Sequence, residues 1–229
     1  MAILRPHFGL ISLNQIQIWK EYWTTSVFPP QNLKEVNKMQ QTAEKQKQLD
    51  LNGVNVDQLF GNIDAIKNAP ALGKFKFRAN NKWINGGHNQ TTIKNFYGVQ
   101  QEHDHDKLFE LDADEPPLLL GEGIGPNPVE YVLTALAACV TTALVYHAAA
   151  KGIKLNAVES RLEGDIDLRG FLGISDDVRR GYDNIRIYFK IDADVPDEQL
   201  EELIQMGTKY SPVFDTITNE VTVTAQLDN

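Results

Sequence analysis

Cys139 is the only thiol in the 229-residue chain and the first residue to examine for nucleophilic or redox chemistry. A cysteine attacks electrophiles as the thiolate, whereas a packed, protonated one behaves as a small apolar side chain. Packing is a strong competing reading, because Cys is among the residues most often fully buried. Its context, LTALAACVTTALV, places it about three turns into a helix, beyond reach of the N-terminal dipole, which fades within the first turn. Any group that activates Cys139 must therefore come from elsewhere in the fold. His147 lies on nearly the same helical face but about 12 Å further along the axis. His103 and His105, in QEHDHDK, alternate with acids and read as a solvated turn; without further placed ligands they predict no metal site. His88, in NGGHN, sits in turn chemistry. No phosphate-binding P-loop, dinucleotide fingerprint, HExxH or GxSxG is present, so no cofactor and no common hydrolase chemistry is expected.

Charge narrows the partners. Thirty-one acidic against 22 basic residues give a net charge of −9, which disfavours a hold on nucleic acid phosphates. A single cysteine excludes an intramolecular disulfide and any multi-thiolate metal site, and points to a reducing cytoplasmic compartment. The first 19 residues interrupt their apolar content with Arg5, Pro6, His7 and Asn14 and do not read as a secretory signal. Residues 131–150 carry no formal charge and are long enough to span a bilayer. Seven of those 20 are Ala, three are Thr, and His147 is among them. A buried helix in a soluble core is the better reading, with no membrane partner.

The elements that would position these residues follow from periodicity. Residues 1–72 form a helical extension: a polar run from Asn32 to Asp50, then Val56, Leu59, Phe60, Ile63 and Ile66 at helical spacing before Pro70. From Gly73 the period changes to two. Phe75 and Phe77, the NGGHN turn, TTIKNFYGV and KLFELDA predict a three-strand meander. The Pro- and Gly-rich EPPLLLGEGIGPNP is a loop into the apolar helix, which starts with Asn127 as cap and Pro128 at its first position and stops at Gly152. Val158, Leu162, Ile166 and Leu168 alternate with charged residues in one strand, and Ile185, Ile187, Phe189 and Ile191 mark its antiparallel partner. A helix follows around Leu200, Leu203 and Ile204, and Val221, Val223, Ala225 and Leu227 predict a last strand. This order is α+β. A helix apolar nearly all round needs cover on every side, and one sheet covers only one, so a homodimer is expected.

The order of elements, together with GPNPVEYVLTALAACVTTALVYHAAAKGI, resembles the superfamily of osmotically inducible protein C and organic hydroperoxide resistance proteins (OsmC/Ohr). Its members carry P-E-x-L-x-A-x-x-x-A-A-C at the start of a long central helix, and Pro128 and Cys139 keep that spacing. KYSPVFDTI resembles the second motif, read as C-P-V. The resemblance covers residues 73–229. It implies an intertwined homodimer with antiparallel strands around a buried central helix. It also implies a peroxiredoxin-like thiol peroxidase role in oxidative stress, with Cys139 as the position oxidised by an organic hydroperoxide. The chain departs from the pattern elsewhere. Ser211 occupies the resolving position, and a hydroxyl forms no disulfide, so an external thiol reductant would have to rescue Cys139. His88 aligns with the arginine of a G-G-R turn, and the glutamate after the proline is replaced by Val129, with Glu130 next. Glu130 lies about half a turn round the helix from Cys139. Two functions stay open: hydroperoxide reduction through Cys139, assisted by His88 and Glu130, or a non-enzymatic dimer that binds a small apolar ligand while Cys139 only packs.

Overall fold

A computed structural model describes residues 50–228. The polar run from Asn32 to Leu49 lies outside the described residues. Those that are described form a compact unit beginning at Asp50.

The unit opens with a two-residue hairpin, β1 (Asp50–Leu51) and β2 (Val54–Asn55), turned by Asn52 and Gly53 at φ 57° and 75°. Asn-Gly suits this turn because both central positions are left-handed. The Asn52 amide also donates to Ile153 O (2.9 Å) and accepts from Leu155 N (2.8 Å), tying the hairpin to a segment a hundred residues away. Asn55 then caps α1 (Val56–Asn68), and Pro70 opens a short 3₁₀ turn (Pro70–Gly73). Only Val56 of α1 is buried, and Phe60, Ile63 and Ile66 remain exposed in the single chain.

The meander consists of β3 (Lys76–Phe77), β4 (Asn80–Asn85), β5 (His88–Gly98) and β6 (Gln101–Ala113), all antiparallel about β5. The sequence reading merged β3 with β4. QEHDHDK is not a solvated turn as expected: the turn falls one step earlier, at Val99 and Gln100, and His103 and His105 lie half-buried in β6. The His103 imidazole stacks on Phe96 and that of His105 lies tilted against it, both at 5.1 Å, which an acid-flanked histidine pair does not advertise.

The central helix, α2 (Pro128–Ala150), has its ends where the sequence puts them. The Asn127 side chain accepts from Val129 N, Pro128 needs no donor, and Gly152 turns at φ 75°. β7 (Leu155–Asp165) and β8 (Asn184–Ala193) pair antiparallel in a separate two-stranded sheet. β7 ends before Ile166, because Asp167 caps a single helical turn, α3 (Leu168–Phe171). α4 (Asp197–Lys209) packs across α2 and runs through Gly207, where an added Cβ would stand 3.0 Å from Val140 O. A short α5 (Pro212–Thr218), capped by Ser211, was not anticipated.

The expected last strand is absent: residues 220–228 form no ladder, and Val223 and Leu227 are 86% and 83% exposed. The alternating pattern is there, but among the described residues no strand pairs with it.

The core gathers at one end of α2, where Leu144, Ala148, Ile153 and Leu203 pack against Val158, Phe189 and Ile191. One row of α2 is buried (Leu136, Val140, Leu144, Ala148), while another is exposed along its whole length (Glu130, Thr134, Ala138, Thr142, Tyr146). Rows at four-residue spacing lie along one side of a helix, so the described residues cover α2 on one side only. This is the one helix among the described residues long and apolar enough to cross a membrane.

Candidate functional site

Cys139 belongs to the row Tyr131, Ala135, Cys139, Ala143, His147, which borders the exposed row of α2. It is half-buried and free. Among the described residues, no hydrogen bond reaches its sulfur within the chain.

The other candidate residues are placed elsewhere. His88 is the first residue of β5, and its Nε2 lies 3.0 Å from Asp112 Oδ1. That contact, joined by Gln90, holds the Asp112 carboxyl below the usual carboxylate range despite partial burial. Asp112 O accepts from Tyr131 OH at 2.6 Å, which fixes the His88 end of the sheet to the first turn of α2. Tyr131 precedes Cys139 by about 12 Å of helix axis, so this tie ends well short of the thiol's turn of the helix.

Glu130 closes a capping box. Its Oε2 accepts from Asn127 N at 2.8 Å, satisfying one of the donors left open at the helix start. Ser211 is 1% exposed, and its hydroxyl accepts from Phe214 N at 3.1 Å as the cap of α5. His147 stacks on Tyr210 at 4.7 Å, with its pKa lowered by burial and then by Lys151.

A buried acid that no sequence motif singles out shapes the approach to α2. Asp114 is 1% exposed, and its carboxylate accepts from Glu115 N (2.8 Å), Glu122 N (3.0 Å) and Ile124 N (3.2 Å). Burial opposes its charge, but the three amides outweigh it and hold the carboxyl below its ordinary range. The loop can fold this tightly because Gly121 and Gly125 have no side chain: a Cβ would stand 1.9 Å from Glu115 O and 2.2 Å from Asp112 O respectively. Gly121 and Gly125, the outer glycines of GEGIG, were the only signal in the sequence.

A cleft of about 700 Å³ opens between the first half of α2, β8, α4 and α5. Its walls are mostly apolar, with Val132, Leu136, Ile187, Phe214 and Ile217 among them, and Arg179 and Asp183 are its charged lining residues. The volume suits a small organic molecule. Tyr182 closes one end, donating to Val129 O at 2.9 Å across the space left by Gly164. Its phenol pKa is raised by burial and then by the charge of Glu130. Leu136 is the last α2 residue to line the cleft; Cys139, one turn on, is not among the lining residues. Among the described residues no cluster of His, Cys, Asp and Glu is arranged to hold a metal ion.

A family model described as OsmC-like protein matches residues 121–226. No curated protein matches the sequence. Among solved structures, an OsmC-like protein of unknown function from Vibrio cholerae O1 biovar eltor is 11% identical, with a TM-score of 0.50 over 63% of this chain and 95% of that one. An OsmC-like protein from Mycoplasma pneumoniae is 19% identical, with a TM-score of 0.49 over 62% and 87%. An organic hydroperoxide resistance protein OsmC from Legionella pneumophila is 21% identical, with a TM-score of 0.45 over 62% and 88%. The match over residues 121–226 and the α+β fold around α2 agree: this part of the chain is similar to OsmC-like proteins.

Proposed function

We propose that two copies of this chain form an intertwined homodimer in which Cys139 reduces small organic hydroperoxides and an external thiol restores it. The observation that carries this reading is the position of Cys139 at the border of the face of α2 that its own chain leaves open. The tie from His88 through Asp112 to Tyr131 ends at the first turn of α2, so in this reading help from His88 would come across the interface from the second copy. Three further surfaces support the dimer: the exposed apolar row of α1, the meander with Phe77 and Trp83 at 75% and 68% exposure, and the unpaired 220–228 segment.

In the proposed reaction the Cys139 thiolate attacks the outer peroxide oxygen. The S–O bond forms as the O–O bond breaks, and the departing alkoxide takes a proton to leave as the alcohol. The resulting sulfenic acid condenses with an external thiol, releasing water and forming a mixed disulfide. A second external thiol then displaces Cys139 as the free thiol. With Ser211 at the resolving position, the sulfenic acid has no internal protection, so excess peroxide would drive it to sulfinic acid. Within this reading residues 73–229 are the OsmC-like domain, residues 1–72 are its helical extension, and the protein works in the cytoplasm.

The test is consumption of cumene hydroperoxide in the presence of dithiothreitol, with mass spectrometry of Cys139. The wild type is expected to turn over and to accumulate a sulfinic adduct at high peroxide. Turnover equal in Cys139→Ser would overturn the peroxidase.

A second reading is favoured by one observation, the apolar cleft that Cys139 does not line. In it the dimer binds a small apolar ligand and Cys139 only packs. A ligand bound equally by the wild type and Cys139→Ser, with no peroxide turnover, would select it.

A further inference from the structure

Five of the six arginines among the described residues are ion-paired: Arg78 with Glu102, Arg161 with Glu163, Arg169 with Asp167, Arg180 with Asp176, and Arg186 with Glu163 and Asp165. Arg179 is the exception. Among the described residues no carboxylate pairs with it, and it sits at the rim of the apolar cleft. Its backbone is held in place, since Arg179 O packs so closely over Gly170 that a Cβ there would stand 2.4 Å away. A fixed main chain carrying an unpaired guanidinium beside an apolar hollow of about 700 Å³ is a two-part recognition surface.

From this geometry we infer that the cleft takes an amphipathic organic anion, with a carboxylate head on Arg179 and an aliphatic chain between Val132, Leu136, Ile187, Phe214 and Ile217. The inference rests on the ligand-binding reading above and sharpens it from an apolar ligand to an anionic one. A guanidinium presents paired donors that match a carboxylate, so the head group fixes orientation while burial of the chain supplies affinity. Asp183 lines the same cleft and repels an anion, so the head group is assigned to Arg179 and a cationic amphiphile is the competing ligand to test. Cys139 has no part in this binding.

Titration calorimetry on the full chain with three ten-carbon probes separates the possibilities: decanoate, 1-decanol and decyltrimethylammonium. Decanoate is expected to bind at least tenfold tighter than 1-decanol, equally in the wild type and Cys139→Ser. Arg179→Gln should erase that preference, Arg179→Lys should keep part of it, and Asp183→Asn should strengthen decanoate binding. Equal binding of decanoate and 1-decanol would overturn the anion assignment while leaving the apolar-ligand reading intact. Preference for the cationic probe would overturn it in favour of Asp183. Absence of saturable binding by any probe, or binding that dissociates an oligomer, would overturn both, the latter by showing that a second copy fills the cleft.

Discussion

The two ends of α2 face opposite conditions. Around Leu144 and Ala148 the chain builds its own core: β7, β8 and α4 close over the helix, and Leu144 and Leu203 are fully buried. Around the first half of α2 and the meander it does not. Phe77, Trp83, Leu118 and Leu120 lie largely in solvent. Scattered exposed apolar residues are ordinary, but contiguous apolar surface marks an interaction site. One half of the domain is thus closed by its own packing, and the other leaves the open apolar surface that the proposed dimer requires. Cys139 lies near the boundary.

Substitutions that separate the halves test this division. Leu203→Ala removes a fully buried side chain from the self-contained core and should cost about 2–5 kcal/mol in urea unfolding. Phe77→Ser should leave the unfolding of an isolated chain nearly unchanged and instead weaken self-association. If the two variants had equal effects on unfolding at low concentration, the division would be wrong. Gly207→Ala places a methyl 3.0 Å from Val140 O and 3.1 Å from Leu144 Cβ where α4 crosses α2, and overpacking of this kind costs about 1–3 kcal/mol.

Acid should act on the other half through Asp114. A carboxyl held below its unfolded-state value of 3.8 contributes stability that is complete above that pH. The contribution is lost as the pH falls from there through the depressed native value. Asp114→Asn, which lacks the charge that the three amides stabilise, should melt lower than the wild type at pH 7 and show a shallower loss of melting temperature below about pH 4. An unchanged acid limb in that variant would remove Asp114 from the account. The smallest effect is expected at Val99, a β-branched residue in the left-handed region at φ 48° in the β5–β6 turn. Val99→Asn should raise stability by about 1 kcal/mol, since Asn tolerates that conformation better.

The sequence was most legible where local chemistry decides structure. Asn127, Pro128 and Gly152 set both ends of α2 because capping depends on the neighbouring residues alone. The β7–β8 pair was legible for the same reason, since alternation of Val158 and Leu162 with charged residues already specifies one buried face. Failures occurred where the outcome depends on a distant partner. Val221 to Leu227 has a strand's alternation but no strand to join in its own chain. His103 and His105 are placed by Phe96, which comes from another strand. The candidate site divided in the same way. Cys139 was identifiable as a lone thiol and Ser211 by its motif, whereas the amide cradle of Asp114 and an Arg179 with no ion pair among the described residues are tertiary facts.

Sedimentation equilibrium of the full chain at low micromolar concentration would judge the open half of α2 by a single number. Completion by a second copy predicts a species of about 51 kDa, twice the 25.7 kDa chain, that persists on dilution. A stable 25.7 kDa monomer across that range would contradict it, and with it the placement of Cys139 beside a shared interface.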